Sequence, residues 1–435
     1  MPLTTTDIHV GMITLTDPDD PNRVSGMPHK MAEALRAQGV LITPIIAADT
    51  SPEGRLARAY RRRVPTRYKR ILDDLAPQHT ANALLGRADT LARSVQEQLA
   101  PLTTDYAQAT GRAPDIIFGA CIASALANLE TDLPIVYYSD ATSPIINATY
   151  PAFQGRGRAL LDTRVTIERA ALSRVTRAAF PAESTRDSAI NDLGLPASIA
   201  SVIPMGAHIT PTDPHAVIAP APPPSARDCR LLIVASDPHR KRVDLAVRAT
   251  ERLRRAGINA TLSVIGPGTA LARRSDAVDF CRPLRLSDPK DALEHRRLLH
   301  TAHLQLLPSL GEAFGIAPAE SAHFARPSIV SDAGGLPSVI HHDDTGVVLP
   351  VAATHLDWAE AIAALIQDPI RYRRYSAAAL ARARVEFTWS AWATKVINLM
   401  HQAIADEPRA MPPPAPGASP GDFREPGLTR TRTAG

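Results

Sequence analysis

One stretch, residues 304–337 (LQLLPSLGEAFGIAPAESAHFARPSIVSDAGGLP), constrains the fold more than any other. Its opening run, Leu304 to Leu307, reads as a buried strand bounded by Pro308. Gly311 and Glu312 follow in a loop. The pattern predicts a helix from Phe314 to Phe324, and Pro318 is compatible with it only in the first turn, where no backbone N–H is needed. Ser328 to Val330 reads as a second apolar segment ending at the turn Asp332-Ala-Gly-Gly335. A carboxylate, Glu312, thus precedes a helix start, and Glu320 lies eight positions on, inside the helix. Free amides at such a start favour an anion, typically phosphate. Two glutamates near a helix start also fit plain dipole-complementing surface charges, so their surroundings decide.

The beginning of the chain has the same grammar. Ile8 to Leu15 reads as a strand, Asp17 to Gly26 as a turn-rich loop, Pro28 to Gln38 as a helix closed by Gly39, and Val40 to Ala47 as a strand. This is the opening of a doubly wound α/β domain, which binds ligands at the carboxyl ends of its strands. Asp115 to Gly119 and Pro134 to Tyr138 read as two more strands with a helix between them, and Glu168 to Ala179 reads as helical. Proline-dense residues 210–227 predict a semi-rigid linker. Beyond it Leu231 to Ala235, a basic loop, a helix from Val243 to Ala256 and a strand from Ala260 to Ile265 begin a second domain.

A chain of 435 residues accommodates two or three domains at about 100–200 residues each. A net charge of +4 argues against a nucleic-acid face. No apolar segment approaches the ~20 residues of a membrane span, and the N-terminus lacks the basic region of a signal peptide. Cys121, Cys229 and Cys281 are far apart and odd in number, which points to thiols of a reducing compartment, so cytoplasmic placement is expected. Arg55 to Arg70 (RLARAYRRRVPTRYKR) fits a solvated helix face better than a patch for an acidic acceptor or a peripheral contact with the inner membrane face. Asp17-Pro-Asp19 fits turn chemistry better than a metal-binding D-x-D, and His341-His-Asp-Asp344 a polar loop better than a metal site.

Glu312-Ala-Phe-Gly-Ile-Ala-Pro-Ala-Glu320 resembles the E-x7-E motif of retaining GT-B glycosyltransferases, family 4 in particular. The likeness extends to Ser331-Asp-Ala-Gly-Gly-Leu-Pro337, where Ser338 stands in place of the family's closing glutamate. It extends also to Val202-Ile-Pro-Met-Gly-Ala-His208 and to Phe387-Thr-Trp389, where the family's last helix crosses back to the first domain. Ser236-Asp-Pro-His-Arg-Lys-Arg242 resembles the basic loop that clasps the donor diphosphate, although Arg242 replaces its glycine. The family's double glycine is absent around Ser25-Gly26, and Ser139 or Asp140 stands where the family keeps a histidine.

The resemblance implies two Rossmann-like doubly wound domains with a cleft between them. They comprise 1–209, completed by a C-terminal helix at about 386–405, and 228–385, followed by a disordered proline-rich tail at 408–435. It implies retaining transfer of a sugar from a nucleotide-sugar, with a UDP- or GDP-sugar as expected donor, to an acceptor hydroxyl on a glycan, lipid or small molecule. Glu312 and Asp140 would act at the reacting sugar. Arg240, Lys241, Gly266, Phe314, Gly315, Ile316 and Glu320 would bind the donor, with Glu320 on the ribose hydroxyls, and Ser25 and Gly26 would form the acceptor or interdomain loop. No cofactor and no metal are required if the cations neutralise the leaving group. A GT-B sugar-nucleotide epimerase and a catalytically weak sugar-nucleotide-binding subunit are the alternatives, and oligomeric state is open.

Overall fold

The structure, a computed structural model, describes residues 8–21, 26–48, 75–110, 113–150, 153–211, 225 and 228–406. Ser25, the arginine-rich stretch Arg55 to Arg70, most of the linker and the proline-rich tail lie outside the described residues.

The first sheet is built from β1 (His9–Thr14), β2 (Leu41–Ile46), β3 (Ile116–Ala120), β4 (Ile135–Tyr138), β5 (Arg177–Phe180) and β6 (Ala200–Val202). They pair in parallel in the order β2-β1-β3-β4-β5-β6. The second comprises β7 (Asp228–Val234), β8 (Asn259–Ile265), β9 (Val278–Cys281), β10 (Leu304–Leu307), β11 (Ser328–Ser331) and β12 (Gly346–Leu349), parallel in the order β12-β11-β10-β7-β8-β9. Central parallel strands are covered by helices on both faces, so they read as near-continuous apolar runs. β1, β3, β4 and β10 are buried at every position, which explains why their sequences stood out.

Strand order reverses between β1 and β3 in the first sheet and between β7 and β10 in the second. Each reversal opens a crevice at the carboxyl end of the sheet, the place where doubly wound folds bind ligands. The basic loop follows β7 and Glu312 follows β10, so the fold itself brings them to one crevice.

Two sequence readings are corrected. The helix expected over Glu168 to Ala179 runs Arg158–Leu172, and Arg177–Phe180 is strand β5. The short segment RAAF carries alanines that favour helix in isolation, but burial in the sheet overrides that preference. The long helix Pro77–Thr110, which covers one face of the first sheet, had no counterpart in the sequence reading.

The C-terminal helix Trp389–Ala405 crosses back to pack on the helix Met27–Ala37 and on β4 and β5. An aromatic chain ties the domains together. Phe314 meets Phe387 edge-on at 5.9 Å, Trp389 meets Trp392 at 5.4 Å, and Trp392 meets Tyr138 at 5.5 Å and Phe118 at 6.0 Å. Gly206 is a packing requirement of this seam, since a Cβ there would lie 2.5 Å from Trp389.

Candidate active site

The loop after β10 is held from three directions. Ser331 Oγ donates to Ser309 O at 2.5 Å, Leu310 N to Arg240 O at 2.9 Å, and Gly335 N to Glu312 O at 2.9 Å. Gly334 and Gly335 make the last contact feasible: a Cβ on Gly334 would lie 2.0 Å from Glu312 O, and one on Gly335 2.3 Å from Ala313 O. Gly334 also adopts φ 57°, in the left-handed region that suits glycine. The glycine pair therefore seats the Glu312 loop.

Glu312 is 8% exposed and its Oε1 collects the cations of the basic loop. Arg240 Nη1 donates to it at 2.8 Å, Lys241 Nζ lies 3.4 Å away, and Ser309 Oγ lies at 3.2 Å. Arg240 Nη1 also donates to Gly311 O, and its guanidinium lies over the Tyr150 ring at 4.8 Å. Asp237 Oδ1 shapes the basic loop by accepting from Arg240 N at 3.0 Å and His239 N at 3.2 Å. Arg242 occupies the position of the resembled motif's glycine in a left-handed conformation, φ 50°, and its guanidinium donates to Val351 O at 2.6 Å.

The helix Ile316–His323 starts at Gly315, φ 120°, and Pro318 falls in its first turn. Ile316 is the first helical residue, at the crevice. Phe314 is placed differently from its assigned donor role: at 1% exposure its ring is a core group against Phe387. Gly266 likewise has a structural duty, because a Cβ there would meet Ala235 O at 2.1 Å.

Glu320 is 3% exposed, and Oε1 accepts from Ile209 N at 3.2 Å, where the chain leaves the first domain. Burial pushes its pKa up to about 8, against a smaller downward pull from that backbone N–H and from Lys241. His295 Nε2 lies 3.7 Å from Glu320 Oε2, and burial pushes its pKa down to about 4. Burial thus favours the uncharged form of both groups.

From the first domain, Asp140 follows β4 and is partly buried, with Oδ1 3.7 Å from Cys121 Sγ. Burial raises its pKa, and the negative charge of Glu312 across the cleft adds to the shift. Asp140 does not cap the next helix, Ser143–Thr149, because Glu168 Oε2 accepts from Ser143 N at that position. Thr149 packs on the second domain, since a Cβ on Gly311 would approach its side chain to 2.6 Å. Gly26, φ 75°, opens the helix Met27–Ala37 beside Pro21 and His208. Ser338 donates its hydroxyl to the Glu183 carboxylate of the first domain, so a carboxylate reaches this position from across the cleft.

Sequence reasoning missed Ser309, Tyr150 and His295, which carry no motif of their own. The two competing metal readings resolve as internal contacts. Asp19 pairs with Arg36 at 2.5 Å, and Asp343 accepts from Tyr375 at 2.6 Å and from Arg371. Among the described residues no group of three or more metal-ligating side chains occurs, and no helix is long and apolar enough to cross a membrane.

Residues 222–382 match the family model described as glycosyl transferases group 1. The chain is similar to glycogen synthase of Mycobacterium tuberculosis, 31% identical over 193 residues, 43% of this chain and 46% of the relative. It is similar to D-inositol 3-phosphate glycosyltransferase of Mycobacteroides abscessus, 31% identical over 195 residues and 42% of each chain. The chain therefore spans less than half the length of these curated relatives. Among solved structures, sucrose-phosphate synthase from Thermosynechococcus elongatus superposes with a TM-score of 0.63 at 16% identity, over 92% of this chain and 99% of that one. WaaG, a glycosyltransferase involved in lipopolysaccharide biosynthesis, superposes with a TM-score of 0.55 at 15% identity, over 90% and 99%. The two parallel sheets are those of the GT-B fold, and the match to group 1 glycosyl transferases lies over the second of them.

Proposed function

We propose that the protein is a retaining glycosyltransferase that moves a sugar from a nucleoside-diphosphate sugar to an acceptor hydroxyl. The observation that carries this is the convergence of Arg240, Lys241 and Glu312 at the switch point of the second sheet. In the reaction the bond from the sugar's anomeric carbon to the diphosphate oxygen breaks, a bond to the acceptor oxygen forms, and the acceptor proton passes to the departing diphosphate. Negative charge grows on the diphosphate, and cations fixed in a partly dry site stabilise it without having to reorganise. Arg240 suits this role by its planar fork, and Lys241 adds a point charge beside it.

Glu312 would orient the donor sugar and stabilise positive charge developing at its anomeric carbon. Glu320 would hold the ribose hydroxyls, and as a protonated acid it both donates and accepts. The amides opening the helix at Ile316 would face the phosphates. The names of the relatives, a glycogen synthase and an inositol phosphate glycosyltransferase, support sugar transfer to a hydroxyl.

The test is transfer from UDP-, GDP-, ADP- and TDP-sugars of known anomeric configuration to a panel of hydroxyl acceptors, with the product anomer read by NMR. Retention of configuration is expected. An inverted product, or conversion of the donor sugar at the same rate without acceptor, would overturn the reading, and the latter outcome would indicate an epimerase.

A further inference from the structure

Thr149 and Tyr150 close the helix Ser143–Thr149 of the first domain, yet both lie against loops of the second. Tyr150 N donates to Ile146 O at 3.0 Å, and Tyr150 O accepts from Phe153 N at 2.9 Å and Gln154 N at 3.2 Å, so its backbone is fixed on both sides. The Arg240 guanidinium carbon stands 4.8 Å from the centre of its ring. Gly311 joins the two contacts. It has no side chain to keep Thr149 away, and its carbonyl accepts from Arg240 Nη1.

We propose that Tyr150 is a positioning residue for the donor: its ring, supplied by the first domain, holds the Arg240 guanidinium in the plane that a diphosphate needs, an inference that rests on the transferase reading above. The geometry separates face from edge. Arginine carries its N–H donors in the plane of the guanidinium, so a ring on the face takes none of them. One edge is already fixed, with Nη1 donating to Gly311 O and to Glu312 Oε1 at 2.8 Å. The ring on the face then removes rotation about that edge.

The environment makes the contact count. The negative face of an aromatic ring attracts a cation, and more so when the pair is stripped of water. Arg240 is 8% exposed and Tyr150 is half-buried. Burial pushes the Tyr150 phenol up to about 12, against a pull downward from Arg240, so the ring carries no charge that would compete with a diphosphate for the arginine. The donor site of the second domain is therefore incomplete without a residue from the first.

The experiment titrates UDP, GDP, ADP and TDP by calorimetry into the full chain as wild type, Tyr150→Phe, Tyr150→Leu, Arg240→Lys and the Tyr150→Leu/Arg240→Lys double variant, each checked as folded by urea unfolding. Tyr150→Phe is expected to bind the preferred nucleotide within about twofold of wild type and Tyr150→Leu about tenfold more weakly. With Lys at 240, whose ammonium has no plane to hold, Tyr150→Leu is expected to cost less than about twofold. A side chain that merely fills space shows neither the rescue by phenylalanine nor the dependence on Arg240. Full affinity in Tyr150→Leu, an equal loss with Arg or Lys at 240, or a loss in Tyr150→Phe as large as that in Tyr150→Leu overturns the proposal. Nucleotide binding that ignores Tyr150 leaves the donor reading intact, whereas a folded wild type that binds none of the four nucleotides removes the donor reading and the role of Tyr150 with it.

Discussion

Arg240 Nη1 donates to Glu312 Oε1 at 2.8 Å across the crevice between β7 and β10, joining a cation proposed for the diphosphate to the carboxylate proposed for the sugar. Lys241 Nζ shares the same oxygen at 3.4 Å. Without donor the carboxylate stands where it offsets the cations, so a diphosphate must compete with it. Glu312→Gln removes that competition. The substitution is expected to leave nucleoside-diphosphate affinity equal or higher in calorimetry while lowering the rate of transfer by about 100-fold, since one charged group at the reacting carbon is lost.

Removing the other partner has the opposite signature. Both side chains of the pair are about nine-tenths buried, and deleting one member of such a pair leaves an uncompensated charge. Arg240→Ala is expected to destabilise the fold by about 3–5 kcal/mol, read from urea unfolding, and also to weaken nucleotide binding. A stability unchanged from wild type would mean that Lys241, Ser309 and water, and not Arg240, compensate Glu312.

Glu320 makes stability fall as pH rises. Its folded pKa of about 8 lies above the ordinary carboxylate value of 4.5, so the folded protein keeps a proton that the unfolded chain has released. Stability from this group is complete below about 4.5 and is lost through about 8. His295, His208 and His303, each lowered to about 4, act with the opposite sign as pH rises from 4 to 6.5. Asp140 and Glu168, also raised by burial, act with the same sign as Glu320, so the Glu320 contribution is read as the difference between wild type and the variant between pH 6.5 and 8. Glu320→Gln is expected to flatten the melting temperature across that window and to raise it most at pH 8.

Gly334→Ala tests the seat of the Glu312 loop. The added methyl group would overlap Glu312 O, and φ 57° is unfavourable for alanine. A loss of at least about 2 kcal/mol of stability is expected from strain and displaced backbone together, with weakened nucleotide binding. Normal stability and binding in this variant would separate the glycine pair from the site.

Much of this was legible in the sequence. Leu304 to Leu307 and Ile8 to Leu15 announced parallel strands because both faces of such strands are buried. Arg240, Lys241 and Glu312 were marked by local patterns, and sheet topology places them together. Other features depend on partners distant in sequence. Tyr150 matters because Arg240 lies over its ring, and His295 because Glu320 is beside it; neither has a local signature. Phe314 and Gly266 matched donor-binding positions, yet a ring against Phe387 and a close approach to Ala235 O account for them. Residues 177–179 were read as helix because alanine-rich local sequence says nothing of the sheet that claims it.

The most direct measurement is calorimetric titration of UDP, GDP, ADP and TDP into wild type and Lys241→Ala. Lys241 lies 3.4 Å from Glu312, at a longer distance than Arg240, so its removal perturbs the fold less. The account predicts that one nucleotide binds the wild type and that Lys241→Ala loses about tenfold in affinity, roughly 1.4 kcal/mol, with little change in melting temperature. Binding unaffected by the substitution, or no binding of any of the four to folded wild type, would contradict the assignment of this crevice to a nucleotide-sugar donor.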